Sequence, residues 1–168
     1  MLATPVVAIS PNKIEVTLAT GSYFEEESDW EKKGNVVHGR NGLMWWEDCV
    51  VTGEGINLVG VTYYKTYSYD INVKDSPPHA MRWLGNGVLR YEAEVVLDGG
   101  TFTGNHILSG EFRVRKSDGW VRPWNTRGYG VYHGTGAYLG WTWVTSDVTT
   151  EGDAVFESYM LIPVPKLP

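Results

Sequence analysis

Ile56-Asn57-Leu58-Val59-Gly60-Val61-Thr62-Tyr63-Tyr64-Lys65-Thr66-Tyr67-Ser68-Tyr69-Asp70-Ile71-Asn72-Val73 is the longest patterned stretch of the chain. Its odd positions read Val59, Val61, Tyr63, Lys65, Tyr67, Tyr69 and Ile71; its even positions read Leu58, Gly60, Thr62, Tyr64, Thr66, Ser68 and Asp70. Successive side chains of a strand point to opposite faces, so a repeat of two over this length predicts one long β-strand with one face in a core. The β-branched and aromatic residues that fill it suit a pleated, half-buried surface.

The same pattern recurs on both sides. Lys13–Ala19 alternates Ile14, Val16 and Leu18 with Glu15 and Thr17, and Asn35–Arg40 and Leu43–Thr52 follow. Val88–Leu97 sets Leu89, Tyr91, Ala93 and Val95 against Arg90, Glu92 and Glu94, which read as a solvated face. His106–Arg115, Tyr129–His133, Tyr138–Val148 and Ala154–Pro163 complete about nine or ten strands at short spacing, the signature of a barrel or a sandwich. Gly53-Glu54-Gly55 and Gly134-Thr135-Gly136 each precede a further glycine and an aromatic pair, as hairpins that coil around a small barrel require at bends and bulges. Lys74-Asp75-Ser76-Pro77-Pro78 is a loop, because its prolines cannot donate to a ladder. One stretch departs from the pattern: Ser22-Tyr23-Phe24-Glu25 has the spacing of a helix capping box, and the acidic run Glu25, Glu26, Glu27, Asp29, Glu31 reads either as that helix or as a solvated loop.

Composition narrows the function. The 168 residues suffice for one domain, taken as 1–168, with no composition shift inside it. A net charge of −6 argues against a nucleic-acid partner, which takes a basic patch. No apolar run is long enough for a membrane helix. Cys49 is a lone cysteine and Met1–Val7 lacks the features of a signal peptide, so a cytoplasmic location is expected. The unusual counts are 8 Trp, 10 Tyr and 20 Gly, and it is the aromatics that point to small-molecule binding.

No cofactor or metal is expected. The Gly-x-Gly pairs at Gly53, Gly85 and Gly134 precede strands, whereas a phosphate cradle needs a helix N-terminus. His38, His79, His106 and His133 lack metal-ligand spacing, and no Gly-x-Ser-x-Gly elbow is present. His106 shares a strand face with Leu108 and Phe112, either as a core histidine or as a polar handle in a cavity. Glu157 stands on a strand apolar on both faces; it is a candidate acid or base, with an ion pair to Arg113 or Arg115 as the structural alternative.

Tyr132-His133-Gly134-Thr135-Gly136-Ala137-Tyr138-Leu139-Gly140-Trp141 resembles the glycine-rich hairpin of allene-oxide-cyclase-like and dirigent-like β-barrels. Gly104–Phe112 and the closing Ala154–Tyr159 are similar to the same family, which covers the C-terminal third and, more faintly, Gly53–Tyr69. The resemblance implies an antiparallel calycin-like barrel of about eight strands, a dimer or trimer, with an apolar cavity in which a lipid-derived or polyketide-like molecule is cyclised or isomerised. The family's catalytic carboxylate near the first strands has no matching motif here; Glu25–Glu27 stand in that region.

The expectation is therefore an all-β, single antiparallel barrel of about eight to ten strands that binds a hydrophobic small molecule as a homo-oligomer, without nucleic acid or membrane. If it is an enzyme, it is a cofactor-free cyclase or isomerase with Glu157, His106 and Tyr67 as catalytic groups. Trp45, Trp46, Tyr63, Tyr91, Arg113, His133, Trp141 and Trp143 are the candidate ligand-binding residues. The alternatives are a carbohydrate-binding β-sandwich that stacks sugars on Trp120, Trp124 or Trp143, and a non-catalytic structural barrel. Gly119–Trp124 is expected as a lid or rim.

Overall fold

The computed structural model describes residues 12–26 and 28–163. The expectations for Met1–Val7 and Glu27 lie outside the described residues. Ten strands follow in order: β1 (Asn12–Ala19), β2 (Ser22–Glu26), β3 (Asp29–Lys33), β4 (Val36–Gly53), β5 (Ile56–Val73), β6 (Arg82–Leu97), β7 (Gly100–Arg115), β8 (Val121–Gly134), β9 (Thr142–Thr150) and β10 (Asp153–Ile162). A single 3-10 turn at Gly136–Tyr138 links β8 to β9, and no α-helix occurs among the described residues.

Each strand from β4 to β10 pairs antiparallel with the next, so the wall is a meander. β1 closes it. Its first half pairs with β10 (Asn12↔Ile162 to Glu15↔Tyr159) and its second half with β4 (Val16↔Gly53 to Ala19↔Val50). The result is an eight-stranded antiparallel barrel in one continuous sheet. This excludes the two-sheet sandwich, whose two packed faces would leave open edges. β2 and β3 continue beyond β1 along the same edge of β4, outside the closed barrel.

Ser22–Glu26 and Asp29–Lys33 are thus strands, not the helix or solvated loop their acidic residues suggested. The hydrogen-bonding edge of β4 decides this, and cross-strand rings add to it: Phe24 stacks on Trp45 with centroids 5.2 Å apart and Tyr23 lies 5.3 Å from Trp46. Asn35–Arg40 and Leu43–Thr52 merge into β4, which bends at irregularities where Asn41 and Asp48 adopt φ of 58° and 55°. Val121–Trp124 belongs to the β8 wall, so this part of the expected lid is a strand. Tyr138 sits in the 3-10 turn, and the strand expected from it starts only at Thr142.

The interior is filled at both ends. One cluster gathers Val51, Val61, Tyr63, Val95, Phe102, Tyr132, Trp143 and Met160; the other gathers Val37, Tyr69, Ile71, Leu89, Leu108, Phe112 and Val114. In the second plug the Tyr69 ring occupies the space where a side chain on Gly39 would stand, and its hydroxyl donates to the Gly119 carbonyl at 2.6 Å. Burial pushes this phenol up to about 12. Tyr69→Phe removes that bond together with the hydroxyl's contact to Ser28 and leaves the ring. It is expected to cost about 1–2 kcal/mol, read as a lowered urea midpoint at unchanged slope.

Candidate functional site

Between the two apolar plugs lies a polar layer. β5 carries Lys65 inward between Tyr63 and Tyr67, β7 carries His106 inward between Gly104 and Leu108, and β9 carries Asp147 inward between Thr145 and Thr149. His106 and Asp147 are buried, with Nε2 and Oδ1 2.6 Å apart. The contact lies off the ideal hydrogen-bond axis, so it is a close polar approach and not an aligned bond. Glycine makes room for it: a Cβ on Gly128 would stand 2.1 Å from Asp147 Oδ1 and 2.6 Å from His106 Nε2.

A carboxylate against Nε2 favours the proton on that nitrogen and leaves Nδ1 as acceptor. Tyr132 Oη lies 3.4 Å from Nδ1, and Tyr63 Oη lies 3.1 Å from Tyr132 Oη. Asp147, His106, Tyr132 and Tyr63 therefore form a chain from a buried carboxylate to a phenol at the lumen. Burial holds the Tyr63 and Tyr132 phenols above their ordinary pKa, so both keep their protons at neutral pH. Tyr91 meets the His106 ring edge-on at 6.0 Å, and its phenol is raised for the same reason.

Lys65 faces this chain. Its ammonium lies 4.6, 5.0 and 5.6 Å from the ring centroids of Tyr91, Tyr63 and Trp46. Among the described residues it meets no hydrogen-bond acceptor and no carboxylate partner within ion-pair distance. Protein surrounds the group, and its remaining accessible surface belongs to the lumen. Desolvation pulls its pKa down to about 8, with the Asp147 charge acting weakly in the opposite sense.

These groups line a cavity of about 240 Å³ that opens sideways through the wall. The opening follows from the closure. β1 leaves β10 after Glu15, so Asp153–Ser158 of β10 pair with β9 alone. Leu18, Thr20, Phe156 and Ser158 frame the mouth. Phe156 has the inward parity of Met160 yet is 70% exposed, because no strand covers it. Inside, Trp46, Tyr63, Tyr132 and Trp143 form aromatic walls, and the Trp143 indole N–H has no acceptor. A separate space of about 170 Å³ lies beside Tyr23, Glu25, Met44 and Tyr67, with Tyr91 lining it too.

Of the residues expected from sequence, Trp46, Tyr63, His106 and Trp143 come together in the chamber, with Tyr91 against it. Tyr67 is one layer away, its ring 6.4 Å from Tyr91 and its hydroxyl 3.5 Å from a Glu25 carboxylate oxygen. Glu157 stands at the rim, exposed, with the outward parity of Val155 and Tyr159. Trp45 stacks outside on Phe24, Trp141 packs on Tyr138, and His133 is exposed on the outer wall. The Arg113 guanidinium covers the Trp124 ring at 3.2 Å, away from the lumen. Trp143, at 2% exposed, stands inside the barrel wall and not on an outer surface where a sugar chain would stack.

Lys65 and Asp147 were not among the expected site residues. The signal for Lys65 was present, as a charge in the inward row of β5. Gly128 and Gly130 were a second signal, two residues without side chains flanking Tyr129 on the inner face of β8. Among the described residues no three of His, Cys, Asp and Glu converge as metal ligands. Comparison with protein-family models, with curated proteins and with solved structures found no match.

Proposed function

We propose that the barrel binds a hydrophobic small molecule in the central chamber and that it is a cofactor-free cyclase or isomerase of the allene-oxide-cyclase-like kind. The carrying observation is the chamber itself: aromatic walls, a side mouth, and a relay of Asp147, His106, Tyr132 and Tyr63 at its base. A flexible substrate enters past Phe156 and is held in a folded conformer against Trp46 and Trp143. Exclusion of water there strengthens each polar contact. The phenols of Tyr63 and Tyr132 polarise a carbonyl oxygen, and His106, oriented by Asp147, moves the proton. Glu157 at the rim meets the substrate on its way in.

The chamber is somewhat smaller than the roughly 300–1,000 Å³ of ordinary ligand sites, which favours a compact reacting head with its tail in the mouth. Outside, the exposed Ile107, Tyr129, Val148 and Val155 share the outer wall and support self-association into a dimer or trimer. The absence of a long apolar helix among the described residues agrees with a protein that does not cross a membrane by helices.

Titration with an unsaturated fatty acid is expected to quench tryptophan emission, because Trp46 and Trp143 line the chamber. Trp46→Ala is expected to weaken that binding about tenfold, the effect of one well-packed aromatic contact. Equal quenching by an oligosaccharide, or unchanged binding by Trp46→Ala, would overturn the reading.

A further inference from the structure

We propose that Lys65 is a covalent site, whose amine condenses with an apolar aldehyde or ketone held in the chamber to form an imine. This rests on the reading of the chamber as a ligand site and names the substrate class.

Four observations converge on this residue. It occupies an inward position of β5 where Val61, Tyr63, Tyr67 and Tyr69 pack as ordinary core, so the fold does not require an amine there. Three aromatic rings lie within 6 Å of Nζ, and no carboxylate is paired with it. The Asp147 carboxylate, which lies in the same layer, is already engaged with His106. The amine faces a space reached from solvent through the gap beside Phe156. An amine desolvated in an apolar pocket is held nearer its neutral, nucleophilic form, the arrangement that suits lysines for imine chemistry. Lys13, Lys32, Lys33 and Lys74, by contrast, are exposed on the surface.

The step balances without an oxidant or reductant. The lone pair of neutral Nζ adds to the carbonyl carbon, and the C–N bond forms as the C=O π pair moves to oxygen. That oxygen takes a proton and the nitrogen gives one up, leaving a carbinolamine. A second protonation of the oxygen lets the C–O bond break, water departs, nitrogen forms the C=N bond, and the resulting iminium returns its N–H proton to leave the imine. One amine and one carbonyl become one imine and one water. Both protons have a carrier in the chamber, since Tyr63 and Tyr132 lead to His106 and Asp147. Once protonated, the imine withdraws electrons from the neighbouring carbon and acidifies its C–H bonds, as ring closure or double-bond migration requires.

The test is reductive trapping. The full chain is incubated with hydrocinnamaldehyde and sodium cyanoborohydride at neutral pH, then read by intact mass and peptide mapping. The expected result is a single adduct on the peptide carrying Lys65, formed roughly tenfold faster than at any surface lysine. Lys65→Arg keeps a cation but forms no imine, and should lose that adduct while its near-ultraviolet circular dichroism stays native. If that variant does not fold, the peptide map of the unaltered chain decides alone. Labelling spread over the surface lysines, or slower at Lys65 than at Lys13, overturns the proposal. Hydrocinnamyl alcohol separates the two readings. If the alcohol quenches tryptophan emission while the aldehyde leaves no adduct on Lys65, the covalent site fails and the binding chamber stands. If neither ligand acts, both fail.

Discussion

Lys65→Met is expected to make the protein more stable, by about 2–3 kcal/mol at pH 7. The lysine pKa falls from 10.5 to about 8 on folding. At about 1.36 kcal/mol for each tenfold change in proton affinity, bringing this ammonium into the barrel costs roughly 3 kcal/mol. Methionine has a similar length, fits irregular space among rings and needs no hydration. Its loss of cation–π contact offsets part of the gain. In a domain of this size the change is about 5–10 °C in the unfolding midpoint, measurable by calorimetry. A destabilised Lys65→Met would mean that the ammonium is held by the fold and not tolerated by it.

The wild-type pH profile follows from the same quantity. Below about pH 8 the lysine folds as a cation and the full cost is present. Between there and 10.5 the folded lysine is neutral while the unfolded one keeps its proton, so stability rises with pH. Higher still, Tyr63, Tyr91 and Tyr132 reverse the trend. Their phenols are raised in the fold, so the unfolded chain ionises first. Lys65→Met should flatten the rise and leave the alkaline fall. A group that weakens the fold in return for a reactive position is the usual mark of a functional site.

Gly128→Ala is expected to destabilise the fold by about 2–3 kcal/mol and to disturb the chamber. The added methyl would overlap Asp147 Oδ1 at 2.1 Å and His106 Nε2 at 2.6 Å, so both buried side chains must move to admit it. Overpacking of a close-fitted interior costs about 1–3 kcal/mol, and forcing apart the buried contact of His106 with Asp147 adds to it. The measurement is the urea midpoint, together with fatty-acid quenching of tryptophan at a denaturant-free baseline. Wild-type stability in Gly128→Ala would show that the pair sits in looser surroundings than the contacts indicate.

The wall was legible because its signal is local. β5 runs over the residues read for it, since seven inward positions and their outward neighbours declare a period of two without reference to any partner. β2 and β3 were not legible. Their side chains are nearly all exposed, so no alternation marks them, and it is the edge of β4, 3–11 residues further along the chain from β3 and 17–25 from β2, that orders them. His106 was placed by its companions Leu108 and Phe112, which share its inward parity. Asp147 was hidden in Thr145-Ser146-Asp147-Val148-Thr149, where polar residues occupy both parities. Glu157 looked enclosed because both faces of its strand are apolar. The structure leaves that half of β10 bare, a matter of which strand closes the barrel and not of what the strand contains.

That closure has a consequence for motion. β1 acts as a buckle, four residues fastened to each neighbour, and among the described residues no other strand bridges β10 to β4. Releasing it leaves the meander from β4 to β10 fully hydrogen-bonded, so it is the cheapest large opening available to the fold. Amide protons of Ile14, Val16 and Leu18 should therefore exchange faster than those of the central strands. A guest wider than the resting gap passes by unfastening one short ribbon rather than by unfolding the barrel.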